Sequence, residues 1–161
     1  MTRTAIRPIL VAAPIVWIAA VFGALVIASQ TSVGVALYAL SAAVYETGSL
    51  VCHQLSNRSF HVWGAQMPVC ARCTGLYVGA AAAAALTATR IDRAVQRQVW
   101  DRARELLLIG ATPTALTLAY EWLSGVTPGN WIRAAAGFPL GAIVMLIVVA
   151  ATASESVVEI H

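Results

Sequence analysis

Cys52, Cys70 and Cys73 are the only cysteines in this 161-residue chain, and all three fall inside "CHQLSNRSFHVWGAQMPVCARCTG", residues 52–75. Two histidines, His53 and His61, and two arginines, Arg58 and Arg72, share the stretch. The spacing Cys70-Ala-Arg-Cys73 brings two sulfurs within reach of one metal ion or of each other. At a helix start, with Arg72 alongside, such thiols are biased toward the thiolate, the form that both metal binding and thiol exchange require. Cys52-His53 adds a third sulfur and an imidazole. Three sulfurs and one nitrogen make a set that zinc accepts tetrahedrally. Cys52, His53, Cys70 and Cys73 are therefore the candidate ligands for zinc or another transition metal. Adjacent residues can both ligate only where the backbone leaves regular helix; otherwise His61 is the spare nitrogen.

The same residues permit a second chemistry. In a membrane thiol–disulfide oxidoreductase, Cys70 and Cys73 would cycle, Cys52 would resolve or be attacked, and Arg72 would hold the thiolate. A C-x-x-C at the outer start of one of four helices is similar to the quinone-linked disulfide-forming enzymes. That class carries a second cysteine pair, and here the odd count leaves one thiol over. A third reading makes the polar island a structural or transport-associated plug between helices.

The elements that must position these residues are greasy. Hydrophobic residues make up 60% of the chain and charged residues 11%, well below the quarter typical of soluble domains. The expected fold class is all-α: a polytopic membrane helix bundle forming one integral membrane domain over residues 1–161, without internal repeats, with its motif region at 51–79. Pro8–Ala28 is long enough to span a bilayer. Arg3 and Arg7 before it look like a signal-peptide n-region, but the apolar run is too long for one, so a retained span is expected. Val33–Val51 gathers Glu46, Thr47 and Ser49 in its second half and reads as either a span or an interfacial or re-entrant helix. Further spans are expected over Pro68–Ala88, Leu106–Leu123 and about Trp131–Ala153. The expectation is four transmembrane helices plus an interfacial or re-entrant one, with five spans as the alternative.

All ten cationic side chains are arginine, and the net charge is +3. Five of them, Arg90, Arg93, Arg97, Arg102 and Arg104, fall in the segment Thr89–Glu105. The positive-inside rule places that loop in the cytoplasm and the cysteine motif on the extracytoplasmic side of the cell membrane. The lipid bilayer is the expected partner. Nucleic acid is not, because these arginines lack interleaved aromatics and share their loop with acids. Glu121 ends one span and Asn130 and Arg133 begin the next, so span order alone brings them to the level of the island. Arg58, Arg72, Glu121, Asn130 and Arg133 form the expected supporting polar site, with Glu121 and Glu46 as partners for the arginines. Gly75, Gly79, Gly137 and Gly141 are spaced by four, the pattern of close helix packing.

The motifs "CHQLSNRSF", "PVCARCTGLYVG" and, after an acidic residue, "GNWIRAAAGFPLG" resemble an uncharacterised family of small prokaryotic polytopic membrane proteins, catalogued as a domain of unknown function. The resemblance covers about Val51 to Gly141. It implies a membrane protein with a shared polar site, and that Cys52, His53, Gln54, Arg58, Ser59, Cys70, Arg72, Cys73, Gly75, Tyr77, Gly79, Asn130, Arg133, Gly137 and Gly141 are shared among family members. It also implies an aspartate where this chain has Glu121, which keeps the charge and adds a methylene. It names no activity.

Overall fold

The computed structural model describes residues 6–88 and 93–158. Arg3, Arg90 and Asp92 lie outside the described residues. Six α-helices account for most of the described chain: α1 (Ile6–Ala28), α2 (Val35–Val51), α3 (Ala71–Ala88), α4 (Arg93–Asp101), α5 (Ala103–Ser124) and α6 (Asn130–Val158). The island between α2 and α3 folds as a single 3-10 turn, Ser56–Arg58, and a short hairpin, β1 (His61–Val62) with β2 (Ala65–Gln66). The all-α helical bundle is the architecture expected from composition.

Among the described residues, three helices are long and apolar enough to cross a membrane: Arg7–Ala28, Ala103–Ser124 and Asn130–Thr152. At about 1.5 Å per residue, α2 and α3 reach only about 26 and 27 Å, just under the hydrocarbon thickness of about 30 Å. The helices show their apolar side chains outward, with Val16, Leu108, Ile109 and Leu116 each more than 60% exposed. Such a surface suits lipid, not water.

The central pair is α3 and α6, and glycine sets its distance. A Cβ on Gly75 would run into the Ala134 backbone, one on Gly79 into Phe138, one on Gly137 into Arg72 and one on Gly141 into Leu76. Contacts on both helices advance together, so α3 and α6 run parallel, backbone against backbone. In lipid, where no hydrophobic drive pushes helices together, this close approach is a main source of attraction.

The outer helices then lean on this pair. On α5, the stripe Gly110, Thr114, Thr117 and Glu121 recurs at helical spacing. Gly110 faces Pro139 and Ile143 of α6, and the Thr114 hydroxyl donates to the Ala136 carbonyl at 2.8 Å. On the opposite side α1 buries Val21, Ala24 and Leu25, and Trp17 meets Tyr77 edge-on at 5.9 Å. The Ser41 hydroxyl of α2 donates to the Ala24 carbonyl. Cys52, just past the end of α2, shares a core cluster with Val21 and Leu25. Ser41 and Cys52 thus tie α2 and its end to the half of α1 that carries Val21, Ala24 and Leu25.

The segment 89–105, expected as a charged loop, differs. Arg93–Asp101 is α4, and α5 begins at Ala103. Gln96 is buried while Arg97, Arg102 and Arg104 are exposed. A helix with one seated face and one charged face explains how such a polar stretch folds at a bundle end.

Candidate metal centre

The site begins where α2 stops. Val51 is the last helical residue, and Cys52 is extended (φ −146°, ψ 134°), its N–H donating to the Gly48 carbonyl. Gln54 then takes a positive φ of 47°, which turns the chain back over the end of α2. Its amide holds that turn. Nε2 donates to the carbonyls of Tyr45 (2.7 Å) and Pro68 (2.6 Å), while the Gln66 amide donates to the Gln54 carbonyl. The hairpin closes with Trp63 and Gly64 both at positive φ, the two-residue geometry that matches strand twist. Its residues run back to Met67 and Val69, which are fully buried against α1.

Cys70 occupies the N-cap of α3. Its carbonyl accepts the first helical bond, from the Thr74 N–H at 2.9 Å. Cys73 follows one turn later. The three sulfurs of Cys52, Cys70 and Cys73 lie within 4.8 Å of one another. The Cys70 and Cys73 sulfurs are 3.4 Å apart, and the Cys70 N–H donates to the Cys52 sulfur at 3.2 Å. All three thiols are free. Tetrahedral thiolates about 2.3 Å from a shared ion sit about 3.8 Å apart, a value inside this range.

The histidines do not join this cluster. Successive residues of extended backbone face opposite ways, so Cys52 is buried while His53 is exposed. His61 is also exposed, in the hairpin, with Nε2 3.1 Å from the Ser56 hydroxyl.

Three arginines converge beside this turn. Glu121 is 7% exposed and receives Arg58 Nη2 at 2.6 Å on Oε1, and Arg72 Nη2 at 3.7 Å and Arg133 Nη2 at 3.6 Å on Oε2. The Arg72 guanidinium also donates to the Thr117 hydroxyl at 3.3 Å. Glu46 is exposed on α2 and takes no part in these pairs. Asn130, first residue of α6, donates from its amide to the Ser59 carbonyl at 2.9 Å, and Phe60 stacks at a tilt on Trp131. These two contacts tie the island to the start of α6. The sequence points to Gln54 only through the family resemblance and not at all to Thr117; each acts through contacts that only the fold creates.

Residues 52–147 match the family described as "Predicted membrane protein (DUF2085)". The chain belongs to that family. The DUF2085 region opens at Cys52 and takes in every cysteine, Arg58, Arg72, Glu121, Asn130 and Arg133. The chain is also 50% identical over 40 residues to the uncharacterized protein MJ1492 of Methanocaldococcus jannaschii. That match covers 25% of this chain and 26% of the relative. No solved structure matches.

Proposed function

We propose that this protein is a multi-pass membrane protein that binds a transition metal, zinc by the chemistry of its ligands, through Cys52, Cys70 and Cys73. The supporting observation is the convergence of three sulfurs from two separate segments within 4.8 Å. Thiol exchange needs two sulfurs; bringing in a third, already accepting an N–H, suits a shared ion better. A fourth position is left for His53, after a side-chain and backbone adjustment, or for water or a substrate. The arginine-rich end at 89–105 faces the cytoplasm in this reading, and the cysteines face outward. Exposed Trp63, Trp122 and Trp131 gather at the cysteine end, in keeping with an interfacial aromatic belt.

A bound ion shields its thiolates from alkylation. In detergent-purified protein all three cysteines should react slowly with iodoacetamide and rapidly after a chelator is added. Equal reactivity with and without chelator would refute metal binding.

One observation favours thiol–disulfide exchange as a second reading: the 3.4 Å separation of the Cys70 and Cys73 sulfurs. Oxidation would join those two sulfurs and release two electrons and two protons to an acceptor such as a quinone. Alkylation trapping in intact cells separates the readings, since exchange requires a Cys70–Cys73 disulfide that the metal site excludes.

A further inference from the structure

The arginine cluster is unbalanced. Arg58, Arg72 and Arg133 contribute three positive charges and Glu121 one negative, which leaves two positive charges in a half-buried to buried site. Arginine cannot escape by deprotonation. Nor are its donors used up. Nε of Arg58, Arg72 and Arg133 and Nη1 of Arg133 are buried and without a hydrogen-bond partner. Arg133 is only 1% exposed. The contacts of Arg72 and Arg133 to Glu121, at 3.7 and 3.6 Å, are longer than the roughly 2.7–2.9 Å of a charge-assisted hydrogen bond. Glu121 therefore holds the guanidinium groups near one another without saturating them.

We propose that this cluster is an anion site for a phosphate group of the monoester class. A phosphomonoester carries about −1.5 to −2 charge at neutral pH and three strong acceptor oxygens. That matches the net charge of two and the three converging guanidinium groups; a carboxylate would neutralise half of it. Arginine's planar fork suits phosphate oxygens. The cluster sits at the island end of the bundle, at the level of the exposed tryptophans, where either a free phosphate or a lipid headgroup can reach Arg58, the most open of the three, with a side chain 36% exposed. Arg58 is the entry residue and Arg133 the buried anchor. No cysteine supplies a donor to this site, although Arg72 lies between Cys70 and Cys73.

Full-length protein in a neutral detergent is heated with inorganic phosphate, or with chloride at equal ionic strength. A parallel set uses nanodiscs of neutral lipid doped with phosphatidic acid, a monoester, or phosphatidylglycerol, a diester. A ligand that binds the folded state raises the melting temperature. Phosphate should do so where chloride does not, and phosphatidic acid should exceed phosphatidylglycerol if the source is lipid. Stabilisation by inorganic phosphate with no added effect of phosphatidic acid assigns the free ion. Arg58→Gln should weaken the effect at least tenfold, read against that variant's own phosphate-free melting temperature because Arg58 also makes the shortest pair with Glu121; Arg133→Lys should weaken it in protein that remains folded. No phosphate- or phosphatidic-acid-specific shift, or a shift that survives Arg58→Gln undiminished, would overturn the proposal.

Discussion

Gly137 lies against the backbone carbonyl of Arg72 so closely that no side chain fits between them. The contact fixes the start of α3, which carries Cys70, Arg72 and Cys73, one helical turn from Arg133 on α6. The glycine packing of the membrane bundle and the polar site at its end are thus one construction. Gly137→Val should force α3 and α6 apart. Overpacking of this kind costs about 1–3 kcal/mol and more where backbone blocks relief. Thermal unfolding in detergent should show the loss, together with weaker metal retention.

Glu121 is the one acid among three arginines. Removing its charge leaves three buried or half-buried cations uncompensated, and breaking a buried pair costs about 3–5 kcal/mol. Glu121→Gln should lower the melting temperature sharply in phosphate-free buffer, whereas Glu121→Asp should be the milder change. A Glu121→Gln protein as stable as wild type would show that the cluster contributes nothing to folding.

Gln54 holds the loop that carries Cys52 against the segment that carries Cys70. Gln54→Ala removes both bonds to the Tyr45 and Pro68 carbonyls and leaves the Pro68 carbonyl without this partner, at about 1–3 kcal/mol for an unmet buried group. The φ of 47° also suits alanine poorly. Metal affinity should fall along with stability, and Gln54→Gly should recover part of the stability and none of the hydrogen bonds. Unchanged metal content in Gln54→Ala would separate the loop from the site.

Much of this arrangement is legible in the residues. Cys70 and Cys73 at a helix start, with Cys52 upstream, read as a cluster because C-x-x-C spacing is local. Glu121 and Arg133 reach the island because two spans joined by a short turn must return to the same end. The glycines spaced by four announce the α3–α6 pair. What escapes is set by tertiary contact. The hairpin turns on Trp63, a residue type that gives no turn signal, so its positive φ is imposed by the packed island. His53 looks like a ligand by adjacency, yet extended backbone at Cys52 sends successive side chains to opposite sides. The helix α4 hides in a charged segment because only one of its faces, marked by Gln96, is seated. Thr117 gains its role from Arg72, forty-five residues away in sequence.

The central claim is tested most directly by the metal content of protein purified anaerobically in neutral detergent, measured per chain by elemental analysis. One equivalent of zinc or another transition metal in the wild type, lost in Cys52→Ser, Cys70→Ser and Cys73→Ser proteins that still fold, is the result this account predicts. A folded wild type with three reactive thiols and no stoichiometric metal would contradict it.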